Sequence, residues 1–395
     1  MNILVANFGS TSFKYQLFEG SANALRPVAK GACERVTDYG GCIRDTLQSL
    51  EESGHIKDAG SINAVGFKTV LGFDVTGCLA ADETVVNDLR RSAPLAPVHN
   101  PVYAEGIEQF REILPGAELV ALYETAFYQW APAAGRCYAV PKSWREIGIR
   151  RNGFHGASHK FTAERSAELL GRGDVARRVR ELYHGEPAPV EEPPLRVVSC
   201  HLGGSSSITG IRNGLAIDTS MGLSPQSGLP QNNRVGDLDS MAVTYAMRTL
   251  GIGVEEAERQ LTRESGLLGI SGVSNDTRDI RKAAESGNAR ARLALDHLVH
   301  CIRHYIGAYA FQMGGLDALV FTGGIGENDA TLRDEVCRGW ADLGVLMDPQ
   351  QNKNTRAIEG AIHSTDSRVS IFVIPANEER VVAAETCRFL TRQST

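Results

Sequence analysis

The 395-residue chain is expected to fold as an α/β protein of two duplicated lobes, and three features lead there. The segment LVANFGSTSFKYQLFEG near the start recurs, in altered form, as VSCHLGGSSSITGIRNG. Each copy reads as apolar strand, Gly with hydroxyl residues, second strand, then a polar-Gly turn. In the first copy Phe13, Tyr15 and Leu17 alternate with polar residues, the period of a half-buried strand. Strand-like runs interleave with helical ones throughout, which argues for α/β. The length also exceeds one simple core, so two domains are the default. A Gly/Ser turn between strands exposes backbone N–H groups and hydroxyls with no bulky Cβ in the way, and such a turn can cradle phosphate. Either copy alone could be an ordinary hairpin. Two copies, each opening a run of strands, predict a nucleotide clamped between the halves.

In chain order, strands are expected near 2–7, 13–18, 62–70 and 118–123. Helices are expected near 40–52, 83–92 and 101–114, the last with Pro101 in its first turn. A helix SHKFTAERSAELL leads into GRGDVARRVRELYHGEPAPVEEPPLR, whose charge and Pro content predict an exposed excursion. After the second hairpin come helices near 236–249, 254–264 and 289–313. A strand-turn-helix DALVFTGGIGENDATLRDEV, a strand SIFVIPA and a closing helix 378–392 complete the chain.

Composition narrows the function. Apolar residues make up 42% and charged residues 22%, as in an ordinary globular enzyme. The net charge of −6 and the lack of Lys/Arg clusters disfavour nucleic acid or an anionic membrane as partner. MNILVANFG enters a strand without a basic leader, and no apolar run reaches the ~18 residues a membrane span needs, so a cytoplasmic location is expected. The eight cysteines are scattered with no CxxC pair and read as reduced thiols.

Several groups could carry chemistry. The third glycine cluster, Thr322-Gly323-Gly324-Ile325-Gly326-Glu327-Asn328, follows an apolar run and opens a helix, where free N–H groups can meet an anion. It lacks the Gly-Lys-Ser/Thr of a P-loop, and a plain strand-helix turn is the alternative. His155 and His159 are four apart in RRNGFHGASH, but no HExxH glutamate accompanies them, so a phosphoryl-contacting donor suits His155 better than a metal site. His297, His300 and His304 lie at helical spacing among Leu295, Leu298 and Ile302 and read as structural. Arg234, in the polar loop QNNRVGDLDS, is either a surface residue or a stabiliser of transferring phosphoryl oxygens. Glu378 and Glu379 open the last helix, as dipole partners or as a Mg²⁺-holding carboxylate at a strand end.

Together, NFGSTSFK, LAPVHNP, RRNGFHGASH, HLGGSSSI, DTSMGLSP, NRVGDLD, SGLLGISGVSNDTRD, FTGGIGEN and IPANEE resemble the acetate kinase family, in family order across nearly the whole chain. The resemblance implies the duplicated actin-like (ribonuclease H-like) ATPase fold: a first lobe of residues 1–126 plus 381–395 and a second of 127–380 carrying most of the nucleotide site. It implies an ATP-dependent acetate kinase with Mg²⁺, acting as a homodimer through the second lobe, with helix 289–313 a candidate element. Matching positions imply that Asn7 touches the phosphoryl or Mg²⁺, with Lys14 nearby, and that His155 and Arg234 stabilise the phosphoryl, supported by His99 and His159. His201, Leu202, Gly203, Gly204 and Ser205 would hold phosphates. Asp276, Thr277, Arg278 and the turn Gly324, Ile325, Gly326, Glu327 and Asn328 would frame the nucleotide. Glu378 would bind Mg²⁺. Val70, Val98, Phe154 and Pro225 would form the apolar pocket for the acetate methyl. The chain also departs from the pattern. Lys68 stands where the family has its substrate arginine, Glu124 replaces the catalytic aspartate, Phe73 a glycine, and Gly204 an asparagine. A kinase for propionate or another small acid, or a degenerate nucleotide-binding sensor, are the alternatives.

Overall fold

The computed structural model describes residues 1–393, so the last two positions of the expected segment 381–395 lie outside the described residues. Two six-stranded sheets repeat one plan. The first holds β1 (Asn2–Gly9), β2 (Ser12–Glu19), β3 (Arg26–Glu34), β4 (Ala64–Thr69), β5 (Cys78–Ala80) and β6 (Glu118–Tyr123), in the order β3-β2-β1-β4-β6-β5. The second holds β7 (Arg196–His201), β8 (Ser207–Arg212), β9 (Leu215–Thr219), β10 (Ala318–Thr322), β11 (Gly360–Ala361) and β12 (Ser370–Val373), in the order β11-β12-β10-β7-β8-β9. In each, an antiparallel meander of three strands meets two parallel strands, and a short antiparallel strand closes the far edge. The duplication inferred from two hairpins therefore extends to whole sheets.

The central strands bury both faces and so read as continuous apolar runs. Ile3, Leu4, Val5 and Ala6 are all buried, and the half-buried Asn7 interrupts that run before the buried Phe8. Helices cover the first sheet on both sides. The helix Glu378–Gln393 packs on β1, β4 and β6, while Asn100–Ile113 lies close to β1, because a Cβ at Gly106 would come within 2.4 Å of the Phe8 ring. Four strands, β3, β5, β9 and β11, lack a clear alternating signal in the sequence and were not expected.

Two expectations are corrected. The Pro- and charge-rich excursion contains the helix Gly173–Arg180, whose Val175, Ala176 and Val179 are buried with Leu182 beyond it. The spacing of those apolar residues puts them on one face, and the charged residues that suggested an exposed loop occupy the other. The cysteines are not all free thiols: Cys33 on β3 and Cys42 on the helix Tyr39–Glu52 form a disulfide, with Cα atoms 6.9 Å apart. Their sequence neighbourhoods gave no sign of this, because packing of the unforeseen strand brings them together.

Candidate active site

The ends of β1, β4, β6 and β7 and the starts of three helices converge on one cleft. From the first sheet, Asn7 is a half-buried break between the buried Ala6 and Phe8 of β1, and Lys14 stands opposite it across the hairpin. Lys68 lies on β4, and Glu124 follows β6 directly. Lys68 is paired with Glu378, the first residue of the closing helix, and its Nζ lies 3.6 Å from Glu124 Oε1. Burial alone would lower the pKa of this ammonium, but Glu378 and then Glu124 hold it well above the ordinary value. Burial pushes Glu124 upward despite Lys68. Glu378 is also desolvated, yet Lys68 keeps it below the usual carboxylate range. Both carboxylate oxygens of Glu124 are buried without a hydrogen-bond partner.

His155 sits at φ 58°, ψ 33°, a left-handed conformation that costs a non-glycine residue on the order of 1–3 kcal/mol. The following Gly156 donates its N–H to the Glu124 carbonyl at 3.0 Å, and a Cβ there would lie 2.1 Å from that oxygen. The strained turn thus locks the histidine against the end of β6. Its ring stacks on His201 at 4.2 Å between centroids, and its Nδ1 lies 2.8 Å from Ser207 Oγ. Ser207 Oγ is also 2.8 Å from His159 Nε2, and His159 Nδ1 is 2.9 Å from Ser199 Oγ. Burial, then the neighbouring histidines, pushes His155 and His159 well below the ordinary histidine pKa, so both are neutral at pH 7. A neutral His155 that offers Nε2–H to the cleft must accept a hydrogen bond at Nδ1. Ser207 can donate that bond while accepting one from His159 Nε2, so the buried chain accommodates the donor tautomer.

Arg234 donates to Ser205 Oγ at 3.3 Å and to Gln231 Oε1 at 3.4 Å. It pairs with no carboxylate among the described residues. Burial lowers the pKa of His99, and the charges of Arg234 and Lys68 add to that effect, which places His99 within the same field.

Beside these groups lies a cavity of ≈ 860 Å³ into which Gly203, Gly204, Asp276, Thr277, Arg278 and Gly324 open. Ile325 and Asn328 line it as well, together with Asn232, Arg281 and Arg356, which the sequence did not single out. Leu202 is core, but its backbone joins the two glycine turns: its N–H donates to the Thr322 carbonyl, and its carbonyl accepts from Ile325 and Gly326. Glu327 faces away from the cavity and accepts from the Ala376 N–H at 2.9 Å, fastening the segment that leads to Glu378. Asp276 caps its own helix and pairs with Arg278. The amide missing at Gly204 has a neighbour in compensation, since Asn232 Nδ2 lies 3.4 Å from where a Cβ at Gly204 would be.

The expected apolar pocket is gathered only in part. Val70 and Phe154 meet Leu71, Leu95 and Met221 in a small cluster. Val98 remains 47% exposed, and Pro225, whose carbonyl accepts from Gln231, is half-buried, so neither belongs to that cluster. Both sit on loops, where motif position does not determine which way the residue faces. Tyr103 was missed. Its buried hydroxyl accepts from the Phe8 N–H at 3.3 Å and donates to Asn7 Oδ1 at 2.9 Å. In sequence it looks like one more aromatic on the inner face of a helix.

The comparisons agree with this geometry. The sequence profile of the Acetokinase family matches residues 30–384. The acetate kinase of Caldanaerobacter subterraneus subsp. tengcongensis is 40% identical, the match covering 98% of each chain. That of Bacillus subtilis is 38% identical, with the same coverage of both chains. Among solved structures, Porphyromonas gingivalis acetate kinase superposes with a TM-score of 0.88 at 32% identity, covering 98% of this chain and 99% of that one. A propionate kinase from Francisella tularensis gives 0.85 at 32% identity, covering 97% and 98%. With its paired sheets, glycine-lined cavity and charged cleft, the chain belongs to the acetokinase family.

Proposed function

We propose that the protein transfers the γ-phosphoryl group of ATP to the carboxylate of a short acid, with acetate as the acid: ATP + acetate ⇌ ADP + acetyl phosphate. The observation that carries this reading is Arg234, a half-buried guanidinium without a carboxylate partner, beside Ser205 of the second glycine turn. A charge held unneutralised beside the glycine turn that opens on the ≈ 860 Å³ cavity suits an anion that arrives with substrate. The acid arrives deprotonated, so its oxygen attacks phosphorus in line without a general base, and catalysis consists of positioning and charge stabilisation. Arg234 and the Nε2–H of His155 would meet the equatorial oxygens. The cluster of Val70, Leu71, Leu95, Phe154 and Met221 would hold the methyl group.

Magnesium is part of the same reading. The partnerless buried oxygens of Glu124, with the side-chain oxygens of Asn7 and Glu378, form a hard oxygen set suited to it. Among the described residues no group of three or more His, Cys, Asp or Glu could hold a metal, so phosphate oxygens and water would complete the shell. When bound, the ion would neutralise charge on the nucleotide phosphates.

The lobe boundaries at 126 and 381, a cytoplasmic location and a homodimer also belong to the proposal. No helix among the described residues is long and apolar enough to cross a membrane. The helix Ala289–Gln312 turns seven residues into the core. By contrast Ser240–Leu250 buries none and exposes Met241, Tyr245 and Leu250, so it is the better face for a second copy.

A hydroxylamine trap for acyl phosphate, run with ATP, Mg²⁺ and acids from acetate to butyrate, tests the reading. Hydroxamate should form fastest with acetate. Fastest formation with propionate would move the acceptor to the larger acid. No hydroxamate with any acid, despite nucleotide binding, would favour a sensor.

A further inference from the structure

Lys68 answers to two carboxylates at once. It is paired with Glu378 and lies 3.6 Å from Glu124 Oε1, beyond hydrogen-bond reach, so neither Glu124 oxygen has a hydrogen-bond partner. Two desolvated carboxylates thus share a single ammonium. An incoming acid meets a cation already engaged by Glu378, so it cannot take that charge for itself in this arrangement. Glu378, were it to hold a divalent cation, would no longer be free to neutralise the ammonium, and the balance would change. Lysine suits such a change of partner. Its ammonium is a point charge on a flexible four-carbon stem, whereas a guanidinium fork is held by geometry.

We propose that Lys68 is handed over during binding: it neutralises Glu378 in the cleft without substrates and passes to the acid's carboxylate once the metal–nucleotide complex takes Glu378. This rests on the carboxylate-kinase reading and adds to it an order of binding, nucleotide before acid. The coupling is reciprocal, so acetate tightens Mg·ADP by the same factor that Mg·ADP tightens acetate.

Titration calorimetry of acetate, with and without saturating Mg·ADP, tests the handover in a complex that cannot turn over. The wild-type protein should bind acetate on the order of tenfold more tightly with Mg·ADP present. Glu378→Gln frees Lys68 beforehand and should bind acetate without nucleotide about as tightly as the wild type does with it. Lys68→Met should bind acetate weakly in both states. Should that variant fail to fold, with two carboxylates left without their ammonium, Glu378→Gln still decides, since it keeps the ammonium in place and removes one carboxylate charge. Acetate affinity indifferent to Mg·ADP in the wild type, or no gain in Glu378→Gln, overturns the handover alone. Mg·ADP binding with no acetate or propionate binding in any state overturns the carboxylate-kinase reading and the handover with it.

Discussion

Arg234 and His155 bring two different kinds of polarity to the cleft. The arginine is a fixed charge whose pKa burial lowers from a high starting point, and the histidine is a neutral donor in a strained turn. If both meet charge that develops on the transferring phosphoryl, their loss should appear in kcat rather than in nucleotide binding. Arg234→Ala should cost roughly 2.7–4 kcal/mol in kcat, the scale of one preorganised donor, with the KM for ATP little changed. Steady-state kinetics check this, and an unchanged kcat would reduce Arg234 to a loop residue. At this scale the motifs pointed to residues but not to partners. Lys68 was expected to be an acid-binding cation, and its pairing with Glu378, which joins positions 310 apart in the chain, was not foreseen. Asn232 and Tyr103 carry no motif, and only the fold shows one beside Gly204 and the other on Asn7.

Among the elements, the closing helix Glu378–Gln393 does most to join the two halves. Its Glu385 is fully buried 3.0 Å from Lys160 of the helix Gly156–Leu169, and it also meets His184, just beyond the helix Gly173–Arg180. Burial pushes this carboxyl up, but Lys160 foremost, then His184 and Arg388, hold it down at about 2. A carboxyl depressed in the folded state stabilises the fold above its unfolded pKa and loses that contribution as pH falls through the folded value. The interhelix contact should therefore weaken between about pH 4.5 and pH 2. Denaturant unfolding at a series of pH values should show stability falling across that window. Glu385→Gln should flatten the fall and lower stability at pH 7 by roughly 3–5 kcal/mol, as expected when a buried pair is broken. A wild-type profile no steeper than the variant's would show that the pair is not coupled to folding. The segment expected to be an exposed excursion supplies one of these contacts. Its apolar residues at helical spacing were outweighed by Pro and charge, and their buried partners lie on distant segments.

For the molecule as a whole, the duplicated sheets explain how one short hairpin signal could be extended to a complete fold. Two sheets repeat the same six-strand plan, and the glycine turns at the ends of β7 and β10 line the cavity. That much was legible because glycine and hydroxyl residues at strand ends carry their backbone requirement in the sequence itself. The oligomer was less so, since an apolar helix reads alike whether it covers a core or a second chain. Light scattering at micromolar concentration should give the mass of two chains, and Tyr245→Glu on the exposed helix should give one; a wild-type monomer would contradict the dimer. The central claim is that the acid's own oxygen attacks the γ-phosphorus in this cleft. It is tested most directly by ³¹P NMR of the reaction of ATP and Mg²⁺ with ¹⁸O-labelled acetate. The account predicts an acyl phosphate whose phosphorus shows the isotope shift of one bonded ¹⁸O. Release of unlabelled inorganic phosphate, with no acyl phosphate formed, would contradict it.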